Sequence, residues 1–292
     1  MKCTLDGSTL EALFRKLKAL QAHPREPLAG KIVSVVDLVT RLPVQLWFTT
    51  APHQHDSNYT GEILALSKRG TLWLFDRGFY DFTFFYALLD QGAGFITRLK
   101  ANAVFSVEKT LFLSDQVRDQ VIRLGNGPHP LRLVEVRFGT TWYRYLTSVV
   151  DPQQLSAQAV ADLYRRRWRI EEAFLVVKRL LGLSYLWTGS ENGVLLQVWA
   201  TWLFFGILVD LGDEVAEALM VPFDLISLEM VFRGLYHFMR ANERGEATDP
   251  VAYLSAAENQ DLGVVKRKRR NRWPQEPDKP DENSSDLDLD IF

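Results

Sequence analysis

The chain is poor in the residues that make covalent or metal staples. Of its 292 residues, one is cysteine (Cys3) and five are histidine. A single thiol excludes an intramolecular disulfide framework and a multi-cysteine zinc site, and it points to a reducing compartment, the cytoplasm. A secretory leader is not expected either. Met1 to Leu5 is too short for an apolar signal core, and the stretch that follows carries Arg15, Lys16 and Lys18. One run approaches membrane length, Val194 to Leu211, but it holds Gln197 and Asp210 and reads as a buried core helix, so no membrane partner is expected. No internal repeat of solenoid period is visible.

What is present is a globular composition. Hydrophobic residues make up 47% and charged residues 24%, which excludes fibrous and wholly disordered chains. The charge is unevenly spread: 34 Lys and Arg face 36 Asp and Glu overall, yet residues 276–292 hold seven acids against Lys279. The remaining body is therefore mildly basic. Ahead of that acidic tail stands a basic cluster, Lys266, Arg267, Lys268, Arg269, Arg270 and Arg272. It reads either as a phosphate-binding run or as a solubilising one.

Apolar β-branched runs alternate with helical periodicity, which predicts an α/β fold. Strands are expected at Lys2–Leu5, Lys31–Val39, Pro43–Thr50, Thr71–Phe75 and Gly94–Leu99, and helices at Thr9–Gln21, Tyr59–Lys68 and Phe82–Asp90. The short Thr40-Arg41-Leu42 link implies a hairpin, whereas the later strands are separated by helices as parallel crossovers require, so the sheet is expected to be mixed. From Ala101 to Val150 strand-like alternation predicts a β-rich insertion. Ser156 to Leu181 is strongly helical, Val194 to Arg240 reads as two or three apolar helices, and order is expected to decline beyond Gly245. Four segments follow: 1–100 and 156–245 as a core with C-terminal helices, 101–155 as the insertion, and 246–292 as a disordered tail.

Three carboxylates stand where chemistry would need them. Asp6 follows Cys3-Thr4-Leu5, and Asp76 follows Leu72-Trp73-Leu74-Phe75, both placed just past a predicted strand. Carboxyl ends of strands in an open α/β sheet converge on one crevice. The third, Glu171, lies in a basic helix. At about 100° per residue, Tyr164, Arg167, Glu171 and Lys178 share a sector roughly 60° wide, while Leu163, Ile170, Ala173, Val177 and Leu181 form a separate apolar sector. A solvated charged face with an Arg167–Glu171 ion pair is the plain alternative. Carboxylates that bind two divalent ions, beside cations that hold phosphates, suit phosphodiester chemistry with Mg2+ or Mn2+.

Tyr164-x2-Arg167-x3-Glu171-x6-Lys178, within Arg-Trp-Arg-Ile-Glu-Glu, resembles the signature of bacterial insertion-sequence transposases of the IS-four group, DDE enzymes with a ribonuclease-H-like core. Asp76-Arg77-Gly78-Phe79, followed by Gly94-Phe95-Ile96-Thr97-Arg98-Leu99-Lys100, is similar to the family's second-aspartate block, and Asp6-Gly7-Ser8-Thr9 to its first. The resemblance runs from about residue 3 to residue 210 in the right order. It implies a ribonuclease-H-like mixed sheet flanked by helices, a β-rich insertion, and metal binding by Asp6, Asp76 and Glu171. It also implies phosphate contacts from Tyr164, Arg167 and Lys178, and stacking of Trp142 on a flipped base, although a core or edge aromatic remains an open reading of Trp142.

The implied function is metal-dependent strand cleavage and strand transfer at insertion-sequence ends. Double-stranded DNA is the partner, and a homodimer forms the synaptic complex in a bacterial cytoplasm near the nucleoid. Family members carry a DNA-end-binding region before the first aspartate, and only five residues precede Asp6. That implies a fragment, a decayed copy or a downstream reading frame. An inactive derivative that binds DNA or dimerises with a full-length transposase is the alternative. Asp37 is a second choice of first acid, and His53-Gln54-His55-Asp56 reads as a metal cluster or, more simply, a polar loop. Glu172, about 100° from Glu171, is expected to face away.

Overall fold

The computed structural model describes residues 1–10, 30–49, 51, 54–184 and 190–266. The strands and helices run β1 Lys2–Leu10, β2 Gly30–Asp37, β3 Pro43–Thr49, α1 Thr60–Leu66, β4 Leu72–Leu74, α2 Phe82–Asp90 and β5 Gly94–Arg98. Then come β6 Phe105–Leu113, β7 Val117–Leu124, β8 Leu131–Phe138 and β9 Thr141–Thr147. Helices α3 Ala157–Arg166, α4 Arg169–Leu175, α5 Glu191–Ala218, α6 Leu228–Glu243 and α7 Pro250–Ser255 complete the series. The β-β-β-α-β-α-β opening and the mixed pairing give the α/β, ribonuclease-H-like class expected of the sequence. Among the described residues the chain forms two compact units, 1–66 with 166–266, and 67–165.

In the first unit β1, β2 and β3 form an antiparallel meander, with β2 in the middle. The hairpin between β2 and β3 closes through Asp37, whose carboxylate accepts from Val39 N at 2.7 Å, and Arg41 adopts φ 63° within it. Ile32, Val36 and Leu46 pack against Ile170, Ala173, Phe174 and Val177 and against Val194, Val198, Trp202, Phe205 and Val209 of α5. Burying each such side chain contributes about 1.5–3 kcal/mol, so this layer fixes α4 over the strands. Helix α5 is long and apolar enough to cross a membrane, yet its inner face supplies that core while Leu196, Trp199, Leu203 and Ile207 are exposed.

In the second unit β4 and β5 pair in parallel, and the crossover between them contains α2, whose first turn is capped by Asp81 accepting from Phe84 N at 2.9 Å. The segment expected as an insertion holds the antiparallel run β6–β9, and β9 pairs with β5. Arg132 is fully buried there, with Nε 2.7 Å and Nη2 2.6 Å from the two oxygens of Asp119. Its Nη1 donates to the Leu155 carbonyl, which ties the strands to the approach of α3.

Three expectations need correction. Strand β1 does not stop at Leu5 but continues to Leu10, because Gly7, Ser8 and Thr9, which resemble turn residues locally, pair with Val33, Ile32 and Lys31. The helix expected at Thr9–Gln21 therefore begins inside a strand, and its remainder lies outside the described residues. Order also persists past Gly245: Asp249 caps α7 with Pro250 in its first turn, and a 3-10 helix follows at Ala257–Leu262. The basic cluster beyond Lys266 and the acidic tail lie outside the described residues.

Candidate active site

The segment read as one helix from Ser156 to Leu181 is interrupted. Helix α3 ends at Arg166, α4 begins at Arg169, and a π-helical turn spans Val176–Leu180. The wheel that placed Tyr164, Arg167, Glu171 and Lys178 on a common face assumed continuity, so it fails as a derivation. The apolar sector survives, with Ile170 and Val177 completely buried.

What gathers in the first unit is a set around one guanidinium. Arg167 stands at the break, 7% exposed, where Nη1 lies 3.5 Å from Asp6 Oδ2 and Nη2 lies 3.4 Å from Glu171 Oε1. The cation thus links a strand carboxylate to a helix carboxylate 165 positions later in the chain. Asp6 sits in mid-strand rather than at a strand end. Its Oδ1 accepts from Gly7 N at 2.9 Å, and it pairs across the ladder with Ser34. Lys178, carried on the π-helical turn, reaches back to β1, where Nζ donates to the Thr9 carbonyl. Two cations and two carboxylates from distant segments therefore meet along β1.

The other face of β1 explains the glycine after Asp6. A Cβ on Gly7 would collide with Lys31 and Asp56, whose ion pair measures 2.6 Å and passes directly over that position. Asp56, once part of a candidate metal cluster with His53 and His55, is thus committed to Lys31; His53 lies outside the described residues. Asp37 serves the hairpin turn. Glu172 faces away from Glu171, lining a hollow of about 250 Å³ with Arg41, Arg169 and Asp224. Asp224 there accepts from Arg41 at 2.7 Å and from Arg169 at 2.9 Å.

In the second unit Asp76 follows β4 as expected. Its side chain accepts from Gly78 N at 2.7 Å, capping the 3-10 helix Arg77–Phe79, and Thr97 Oγ1 donates to its carbonyl at 3.2 Å. Behind it Trp73, Phe75, Phe79 and Phe85 are buried, which holds the loop on the core. Tyr164 is 8% exposed, with its ring 5.3 Å from that of Tyr145. Trp142 is half-buried on β9, with the Arg118 guanidinium 4.3 Å over its ring.

Carboxylate oxygens are the donor type that Mg2+ and Mn2+ prefer, so Asp6 and Glu171 suit a hard cation chemically. Among the described residues no three His, Cys, Asp or Glu side chains form a metal-sized cluster.

Comparison with known proteins identifies the family. The family described as the transposase DDE domain matches residues 9–203, a span that includes Asp76, Tyr164, Arg167, Glu171 and Lys178, while Asp6 lies just ahead of it. A protein of Sinorhizobium fredii named as transposase y4zB is 26% identical over 162 residues, covering 51% of this chain and 44% of that protein. A Geobacillus stearothermophilus protein named as a transposase for insertion sequence element IS5377 is 27% identical over 159 residues, covering 52% and 42%. A Synechocystis protein named as a transposase for insertion sequence element IS4SA is 23% identical over 187 residues, covering 61% and 52%. The chain spans about half the length of these curated relatives. Because the family match takes in well over half of its residues, the chain belongs to the DDE-domain transposases of insertion sequences.

Proposed function

We propose that this chain is the catalytic part of an IS-four-type transposase, cleaving DNA at the ends of an insertion sequence and joining the freed 3′ hydroxyl to target DNA. The observation that carries the reading is the Asp6–Arg167–Glu171 contact, which brings a first-strand acid to the acid of the signature helix. Asp6, Asp76 and Glu171 would hold the divalent ions. A bound pair of Mg2+ or Mn2+ ions supplies Lewis acidity at the attacking and leaving oxygens.

The remaining roles belong to side chains. Arg167 offers a planar fork for a phosphate once its carboxylates turn to a cation, and Lys178 offers a point charge beside β1. Tyr164 would contribute its phenol to phosphate binding, and Trp142 a stacking face for a displaced base. The partner is double-stranded DNA, both element ends and target. A homodimer assembles the synaptic complex, and the setting is the bacterial cytoplasm at the nucleoid.

The reading is tested by incubating purified protein with DNA carrying the element's own ends and Mg2+ or Mn2+, and counting nicks at the end junction. Wild-type protein nicks there, and Glu171→Gln lowers the rate by about a hundredfold or more, as loss of a group acting in the transition state does. Equal nicking by both proteins contradicts the reading.

A further inference from the structure

One buried hydroxyl in the first unit lacks a hydrogen-bond partner among the described residues. Ser34 lies at the centre of β2, in the run Ile32-Val33-Ser34-Val35-Val36, and is completely buried. Its Oγ makes no hydrogen bond among the described residues. Its neighbours along the same face, Ile32 and Val36, belong to the apolar core under α4 and α5, and so does Leu46, its partner on β3. An unsatisfied buried hydroxyl costs about 1–3 kcal/mol, so an alanine or valine would suit this core better.

The remaining cross-strand neighbour is different. Ser34 pairs directly with Asp6 on β1. Directly opposed residues of an antiparallel pair project to the same face with Cβ atoms about 4.5–5.5 Å apart, within reach of a hydroxyl-to-carboxylate hydrogen bond. Thr4 and Ser8, opposite Val36 and Ile32, are diagonal neighbours and lie farther off. Asp6 accepts from Gly7 N on one oxygen and contacts Arg167 with the other, and an ionised carboxylate has about four acceptor sites.

We infer that Ser34 is a positioning residue for Asp6: its hydroxyl donates to the Asp6 carboxylate when a divalent cation draws that carboxylate from Arg167, fixing the rotamer that presents oxygen to the metal. The inference rests on the assignment of Asp6 as a metal ligand. Groups that orient metal-binding carboxylates typically change affinity by about ten- to a hundredfold when removed.

Mn2+ titration followed by electron paramagnetic resonance, on the 292-residue chain without DNA, reads this directly. Wild-type protein is compared with Asp6→Asn and Ser34→Ala, and each is melted in EDTA. The expected result is loss of the tight Mn2+ site in Asp6→Asn and affinity about ten- to a hundredfold weaker in Ser34→Ala, whose Tm in EDTA is unchanged or raised because an unpaired hydroxyl has been replaced by a methyl group. Wild-type affinity in Ser34→Ala, with Asp6→Asn impaired, overturns this inference alone. A lowered Tm of Ser34→Ala in EDTA shows that the hydroxyl is already bonded without metal and also overturns it. No effect of Asp6→Asn overturns the ligand assignment itself, and with it the role of Ser34.

Discussion

At Cys3 burial works against ionisation. The thiol is fully enclosed, and desolvation, aided by the Asp37 charge and partly offset by the amino terminus, pushes its pKa up from 9.0 to about 12. A raised thiol pKa means the folded state favours the protonated form. The associated stability is intact below pH 9 and is lost as pH rises from 9 through 12. Native protein at pH 8 should not react with a disulfide-exchange reagent such as DTNB, whereas denatured protein should release one equivalent of chromophore for its single cysteine. Rapid stoichiometric reaction of the native protein would contradict this assignment. At single residues the sequence reading placed Asp76 just past its strand, and the i,i+4 pair of Arg167 and Glu171 is the one named under the plain alternative of a charged helix face. Ser34 left a signal too, as the lone polar residue in an apolar strand run, but its meaning depends on which β1 residue it faces.

Among the elements, those whose pattern is local were legible. The hairpin of β2 and β3, the helix α2 and the strand series β6–β9 follow from alternation, capping and turn residues. The break between α3 and α4 was not, because Arg167 and Trp168 carry none of the glycine or proline signals that end helices. At the break Arg167 is buried, with Nη1 3.5 Å from Asp6 Oδ2. Strand β1 was underestimated because Gly7 does not mark a turn: it pairs with Val33 and lies under the Lys31–Asp56 pair, where a Cβ would meet both side chains. In contrast, α7 had its signals, Asp249 followed by Pro250, hidden by the polar composition around them. The insertion strands depend on their own buried ion pair. Asp119→Ala leaves the Arg132 guanidinium buried without its carboxylate, which should cost about 3–5 kcal/mol. Urea denaturation monitored by tryptophan fluorescence and far-UV dichroism checks it; a loss below about 1 kcal/mol would show that water reaches Arg132.

For the whole molecule, the family match over residues 9–203 takes in parts of both compact units. The proposed function asks more, that Asp6, Asp76 and Glu171 act as one ligand set. Calorimetric titration of Mn2+ into wild-type protein and into Asp6→Asn, Asp76→Asn and Glu171→Gln tests this most directly. The account predicts that each single substitution removes or severely weakens the same tight binding event while the melting temperature in EDTA stays near that of the parent. Undiminished Mn2+ binding by any one of the three folded variants would contradict it.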